Sequence, residues 1–235
     1  MTQSISTIAF DADDTLWHNE RFFKLTQDHF AALLAEHMEG PDLMDRLLQA
    51  ERRNIQRYGF GIKGFVLSMI ETALEVTDNR VPQSVIAQLI DAGKEMLAYP
   101  IELLPHAREA VVSAKGFGRV LVITKGDLLD QERKVAQSGL GDLFDGVEIV
   151  SHKTPEAYTR IFEQHGEGAA RSMMIGNSMK SDVCPMLDAG GWGIFVPHDL
   201  AWDLEHAETP EHHPRYRALR DLGDVPALLS TIPKG

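Results

Sequence analysis

The sequence predicts an α/β fold in which a parallel sheet is interrupted, after its first strand, by an all-helical insert. Three observations favour this class. Short β-branched apolar runs alternate with segments of helical periodicity, residues 18–100 show helical periodicity only, and polar residues follow four of the apolar runs. Strands that alternate with helices of this length form a parallel sheet with crossover helices.

Five apolar runs are the candidate strands, and three segments between the later runs are the candidate crossover helices. The strands are predicted at Ile5–Phe10, Val120–Thr124, Val147–Val150, Met173–Ile175 and Gly193–Val196. The helices are predicted at Leu128–Ser138, Pro155–Gln164 and Asp182–Ala189.

Residues 18–100 form the insert. They carry four amphipathic stripes, separated by Gly40-Pro41, Gly59-Phe60-Gly61 and Val81-Pro82. Four amphipathic helices with short connections can bury a common core as a bundle. The sequence therefore predicts two domains: a sheet domain made of residues 1–17 and 101–235, and a helical domain of residues 18–100 inserted into it.

The composition is that of an ordinary globular protein, with 235 residues, 43% hydrophobic and 25% charged. A formal charge of −12 disfavours nucleic acid polymers and anionic membranes as partners. No apolar run approaches the roughly 20 residues that cross a bilayer. The N-terminus does not look like a signal peptide, and the single cysteine, Cys184, excludes an intramolecular disulfide. We expect a cytoplasmic protein and leave its oligomeric state open.

The first strand runs directly into Asp11-Ala12-Asp13-Asp14-Thr15, which places three acids within four residues. Carboxylates at i and i+2 can converge on one cation at the carboxyl edge of a parallel sheet, where open α/β sheets bind their ligands. The alternative is a solvated turn, or a cluster that caps the next helix. Asp14 is expected to face solvent.

Three later strand ends carry groups suited to an anion or a cation. The Thr124-Lys125-Gly126 segment offers a hydroxyl and closely spaced backbone N–H groups to an anion. Lys153, which precedes a helix that begins with proline, can supply a positive charge. The Gly176–Asp182 loop is a second acidic strand end, with a glycine that permits a sharp turn.

The spacing of these segments in the sequence indicates that all four lie at the same edge of the sheet. Thr124 and Lys153 are 29 residues apart, as are Lys153 and Asp182, and each step is about one strand–helix unit. Asp11 and Thr124 are 113 residues apart, which exceeds that step by 84 residues. The excess matches the helical insert, so without it four polar strand ends recur at regular spacing along one sheet edge.

This constellation resembles the haloacid dehalogenase superfamily, most of whose members are phosphatases, and the resemblance covers nearly the whole chain. It implies a Rossmann-like core with a helical cap of the first type (C1) inserted after the first strand. It also implies that Asp11 is the nucleophile and Asp13 the general acid/base. Thr124, Lys153 and the Gly176–Asp182 loop resemble the second, third and fourth motifs.

The resemblance further implies a magnesium-dependent phosphatase that hydrolyses a small phosphorylated metabolite, such as a nucleotide or a sugar phosphate, through an aspartyl-phosphate. The implied Mg²⁺ ligands are Asp11, Asp13 through its main-chain carbonyl, Asp182 and Asn177. The groups implied to hold the phosphoryl oxygens or balance their charge are Thr124, Lys125, Gly126 and Lys153.

Two departures from the family pattern leave questions open. Asn177 stands where many relatives have an acid, so either Asn177 or Asp182 is the direct metal ligand. Lys125 stands where many relatives have asparagine, so it either reaches the substrate or is solvated. The alternative functions are a 2-haloacid dehalogenase, in which Asp11 attacks carbon, and a catalytically silent phosphate-binding regulatory protein.

Overall fold

A computed structural model describes residues 4–200 and 202–232. Its central sheet has six strands: β1 (Thr7–Phe10), β2 (Arg119–Lys125), β3 (Gly146–Val150), β4 (Ser172–Gly176), β5 (Trp192–Phe195) and β6 (Tyr216–Ala218). Their order in the sheet is β3-β2-β1-β4-β5-β6, and every neighbouring pair is parallel. The predicted α/β class and its parallel sheet are confirmed.

The helices are α1 (Glu20–Leu33), α2 (Gly40–Tyr58), α3 (Ile62–Val76), α4 (Gln83–Ala98), α5 (Ala107–Lys115), α6 (Leu128–Gln137), α7 (Pro155–His165), α8 (Cys184–Asp188) and α9 (Val225–Thr231). The helix predicted over Asp182–Ala189 begins earlier, with a π-helical turn at Met179–Val183 that continues into α8. Within the described residues, no helix is both long enough and apolar enough to cross a membrane.

The central strands are mostly apolar because both faces of the sheet are covered. On one face, Ile8, Phe10 and Val122 belong to a core cluster that also includes residues of α5 and α9. On the other face, Ala9 and Leu121 join residues of α7 in a second cluster. Successive residues of a strand point to opposite faces, so each strand contributes to both clusters.

The chain divides into two compact units. The sheet unit comprises Met1–Glu20, Ile101–Lys125 and Gln131–Gly235, and the helical unit comprises Arg21–Pro100 and Gly126–Asp130. The helical unit has its own buried core, which includes Phe30, Leu47, Phe65, Met69 and Leu89. The predicted domain boundaries and the role of residues 18–100 as a cap stay predictions. The prediction that the N-terminus is not a signal peptide rests partly on the first three residues, which lie outside the described residues.

Candidate active site

The parallel register of three central strands brings the predicted site residues of the sheet unit to one edge. Asp11 follows β1, and its backbone N–H donates to the carbonyl of Ile175 on β4 at 2.8 Å. Since β1 pairs in parallel with both β2 and β4, Thr124 at the end of β2 and Asn177 after β4 flank Asp11. Lys153 and Asp182 reach the same point through their side chains.

Lys153 bridges two buried carboxylates. Its ammonium donates to Asp11 Oδ1 at 2.5 Å and to Asp182 Oδ1 at 2.7 Å, and the Lys153 and Asp182 side chains are each only 1% exposed. Burial raises the pKa of Asp11 to about 7, and the charge of Lys153 opposes that rise. Burial opposes the charge of Lys153 as well, yet attraction to Asp11 and Asp182 raises the pKa of its ammonium. Lys153 therefore carries its positive charge at neutral pH.

Asp182 is packed against the backbone of the preceding strand end. A Cβ at Gly176 would lie 2.2 Å from Asp182 Oδ2, so this position requires glycine for a close approach rather than for a turn. The same Oδ2 accepts the backbone N–H of Ser178 at 2.9 Å, while Oδ1 accepts from Lys153. Both oxygens of Asp182 are thus engaged by protein donors.

Asn177 lies beside the loop that follows β1. The hydroxyl of Thr15 accepts the Asn177 backbone N–H at 3.0 Å and lies 3.1 Å from Asp11 Oδ2, to which it can donate. The amide of Asn177 is best satisfied with Nδ2 facing three acceptors. These are Thr15 Oγ1 at 3.1 Å, Asp11 Oδ2 at 3.2 Å and the main-chain oxygen of Asp13 at 3.3 Å.

This arrangement fits magnesium in the chemistry of its donors. Asp11 Oδ2, the carbonyl of Asp13 and the amide of Asn177 lie together, and turning that amide over would present a third oxygen to a hard cation. Within the described residues, no group of three or more His, Cys, Asp or Glu side chains is arranged to hold a metal ion. The donors here are one carboxylate, one main-chain carbonyl and one amide.

The carboxylate of Asp13 has an environment of its own. Oδ1 accepts from Trp17 Nε1 at 2.7 Å, Oδ2 accepts from Gln131 Nε2 at 3.0 Å, and Lys134 Nζ lies 3.0 Å from both oxygens. Sequence reasoning missed Gln131 and Lys134. Their spacing of three residues places them on one face of α6, but their burial, at 2% and 7% exposure, is not readable from the sequence.

The second predicted motif is divided between two environments. Thr124 is buried, and its hydroxyl oxygen accepts from Gln131 Nε2 at 2.7 Å. Gly126 has a φ of 146° and begins the short segment that belongs to the helical unit.

Lys125 forms an ion pair with Glu205, a residue that sequence reasoning also missed, and donates to Ser181 Oγ at 2.8 Å. Glu205 in turn accepts from Ser178 Oγ at 2.6 Å and Ser181 Oγ at 2.5 Å. Burial alone would raise the pKa of Glu205, but Lys125 and the two hydroxyls lower it to about 2. The charge of Lys125 is therefore balanced by a carboxylate of the protein.

The expectation that Asp14 faces solvent was wrong. Asp14 is buried, with a φ of 59°, and its carboxylate accepts the backbone N–H groups of Asn19 at 2.8 Å and of Glu20 at 2.9 Å. Glu20 begins α1, whose first N–H groups have no partner within the helix. Asp14 satisfies the N–H of Glu20 and that of Asn19 just before the helix, and His198 Nε2 lies 3.6 Å from its carboxylate.

Comparisons with known proteins agree on one family. The model of the haloacid dehalogenase-like hydrolases matches residues 5–190. A haloacid dehalogenase-like family hydrolase from Xanthomonas campestris is 40% identical in sequence, with a TM-score of 0.87 over 97% of this chain and 91% of that protein. No curated protein matches the chain.

Two more distant structures share the fold. The HAD-hydrolase YfnB from Bacillus subtilis, bound to magnesium, is 16% identical, with a TM-score of 0.66 over 97% of this chain and 99% of that protein. The L-2-haloacid dehalogenase from Xanthobacter autotrophicus, with chloropropionic acid covalently bound, is 17% identical. Its TM-score is 0.64 over 97% of this chain and 100% of that protein.

Proposed function

The chain belongs to the haloacid dehalogenase-like hydrolases, and from this premise we propose that it is a magnesium-dependent phosphatase acting on a small phosphate monoester. The observation that carries the proposal is the separation of two carboxylates on one loop. Asp11 is buried against Lys153, whereas Asp13 is held by Lys134, Gln131 and Trp17. Two carboxylates in different environments can take different roles in one reaction.

In the first step, a carboxylate oxygen of Asp11 attacks phosphorus. The new P–O bond to Asp11 forms as the bond to the leaving oxygen breaks, and Asp13 donates a proton to that oxygen. In the second step, Asp13, now ionised, takes a proton from the water that attacks phosphorus, and the bond between phosphorus and Asp11 breaks. Inorganic phosphate leaves, and the carboxylate of Asp11 is restored.

Four other residues support this chemistry through position and charge, which carry most of the catalysis in phosphoryl transfer. The hydroxyl of Thr124 would donate to a phosphoryl oxygen, and Lys153 would balance the negative charge of Asp11 and the phosphoryl group. Asp11, the Asp13 carbonyl and Asn177 would hold Mg²⁺, which when bound offsets the repulsion between a carboxylate and a phosphate. Asp182 would then orient Lys153.

The substrate proposed is a small phosphorylated metabolite in the cytoplasm, with a nucleotide or a sugar phosphate as the leading classes. The helical unit is proposed to be a C1 cap that selects the leaving group. One feature is also compatible with the alternative of a 2-haloacid dehalogenase: the ammonium of Lys153 places a positive charge against Asp11, the carboxylate that would attack carbon. The second carboxylate, Asp13, favours the phosphatase, because displacement of a halide needs no acid.

A turnover assay tests the proposal. Purified protein is incubated with a panel of phosphate monoesters and separately with 2-chloropropionate, each with Mg²⁺ and with a chelator. We expect phosphate release that requires Mg²⁺ and disappears in Asp11→Asn. Chloride release from 2-chloropropionate that is faster than phosphate release from any ester would support the dehalogenase instead. Tight phosphate binding without turnover would support the silent regulatory protein.

A further inference from the structure

We propose that Lys134 and Gln131 on α6 are positioning residues for Asp13 and Thr124, an inference that rests on the proposed phosphatase function. Neither residue belongs to a motif identified in the sequence. Both act through other groups: Lys134 through the carboxylate of Asp13, and Gln131 through that carboxylate and the hydroxyl of Thr124.

The carboxylate of Asp13 is fixed by donors on both of its oxygens. Oδ1 has Trp17 Nε1 at 2.7 Å and Lys134 Nζ at 3.0 Å, and Oδ2 has Gln131 Nε2 and Lys134 Nζ, each at 3.0 Å. Lys134 also donates to Asn19 Oδ1 at 2.8 Å. The Lys134 side chain is 9% exposed and that of Asp13 is 22% exposed, so water screens the pair only partly. The leaving oxygen and the attacking water would therefore each meet the Asp13 carboxylate in the same fixed orientation.

Gln131 links Asp13 to the residue proposed to bind the phosphoryl group. Its Nε2 is also 2.7 Å from Thr124 Oγ1 and 2.9 Å from the main-chain oxygen of Lys125. Gln131 Nε2 has two hydrogens for these three acceptors, and Thr124 Oγ1 is the nearest of them; when Thr124 Oγ1 accepts one, its own hydrogen points elsewhere. That hydrogen is then directed to another acceptor, such as a phosphoryl oxygen.

Packing does not explain the side chains on this face of α6. Gln131 Oε1 is buried with no hydrogen-bond partner in the described part of the chain, which costs stability. In the same helix Leu128 and Leu129 are 60% and 70% exposed, whereas Gln131 and Lys134 are buried. The amide of Gln131 therefore leaves a polar atom unpaired at a buried position, a cost that an apolar side chain would not have, as expected of a residue that serves the site.

The test compares two substrates that differ in their need for a proton donor. p-Nitrophenyl phosphate has a weakly basic leaving oxygen, and glycerol 2-phosphate has a strongly basic one. Lys134→Met should lower kcat for glycerol 2-phosphate by about 10–100-fold, part of the range for a general acid/base, and kcat for the aryl ester by about 3-fold or less. KM should stay within about twofold. Lys134→Arg should recover most of the activity, and Lys115→Met, which removes an exposed ion pair with Asp145, is the matched control.

A double-mutant cycle supplies the decisive readout. If Lys134 acts through Asp13, then Lys134→Met should have no further effect in an Asp13→Asn background. Gln131→Leu is a second, independent variant. It should weaken activity, and circular dichroism checks that it folds, because it removes the buried unpaired oxygen but also the donor to Thr124 Oγ1 and to the main-chain oxygen of Lys125.

The outcomes separate the two proposals. Equal losses on both esters, additivity with Asp13→Asn, or full activity of Gln131→Leu would overturn the positioning role while the phosphatase stands. A wild-type protein that cleaves neither ester with Mg²⁺ would overturn the proposed function, and the positioning role with it.

Discussion

Replacing Lys153 by methionine should cost the protein a large part of its stability. The substitution keeps most of the length of the side chain but removes the ammonium that bridges Asp11 and Asp182. The Lys153 and Asp182 side chains are each 1% exposed and that of Asp11 is 10% exposed, so water cannot replace the lost partner. Removing one partner of a buried ion pair costs about 3–5 kcal/mol, and we expect a loss of that size near neutral pH.

The loss should depend on pH. Burial raises the pKa of Asp11 from 3.8 to about 7 even with Lys153 present, and removing the opposing charge must raise it further. An acid with a native pKa above its unfolded value binds its proton more tightly when folded, so stability falls as pH rises between the two values. The deficit of the variant should therefore be greatest at about pH 8 and shrink toward about pH 5, where Asp11 is protonated.

Urea unfolding followed by circular dichroism at several pH values measures this deficit. Lys115→Met is the control, because it removes an exposed ion pair, for which the expected change is about 0–1 kcal/mol. A deficit for Lys153→Met below about 1 kcal/mol, or one that does not change with pH, would refute the reasoning.

Two further predictions use buried and near-buried groups outside this bridge. Burial raises the pKa of Glu51 in α2 from 4.5 to about 7, so the stability of the fold should fall as pH rises through that interval. Glu51→Gln should therefore raise the free energy of unfolding by up to about 3 kcal/mol at about pH 8, and should not change it near pH 4. Urea unfolding checks this, and an equal effect at both pH values would contradict it. Asn177→Asp would place a second carboxylate about 3.2 Å from Asp11 Oδ2. Because the two like charges repel, the thermal midpoint without Mg²⁺ should fall, and because the site gains a negative charge, calorimetry should show Mg²⁺ binding about tenfold more tightly. Unchanged values for both would contradict the placement of Asn177 at the metal site.

The strands of the core could be predicted because a strand buried on both faces is a continuous apolar run. The apolar runs Ile5–Phe10 and Met173–Ile175 predict two such strands, which the structure places at Thr7–Phe10 and Ser172–Gly176, both fully buried. Tyr216–Ala218 was missed because it has three residues, two of them exposed, and so gives no apolar run. Its place at the sheet edge depends on pairing with β5, which the local sequence does not encode.

The site could be predicted to the extent that its residues follow strands. Asp11, Thr124 and Asn177 lie at the ends of neighbouring parallel strands, so strand spacing alone brings them together. Glu205 lies in a short 3₁₀ helix between β5 and β6, and Lys134 lies on a crossover helix, so neither has a fixed spacing from a strand end. The burial of Asp14 likewise depends on where α1 begins.

The central claim is that Asp11 carries the phosphoryl group between the two steps, and rapid-quench mass spectrometry tests it directly. The protein is mixed with Mg²⁺ and a phosphate monoester, stopped in acid within milliseconds, and digested. We expect the peptide that contains Asp11 to gain the mass of one phosphoryl group before phosphate release is complete, and the same peptide from Asp11→Asn to gain nothing. Phosphate release with no adduct at Asp11, or an adduct formed only with 2-chloropropionate, would contradict the claim.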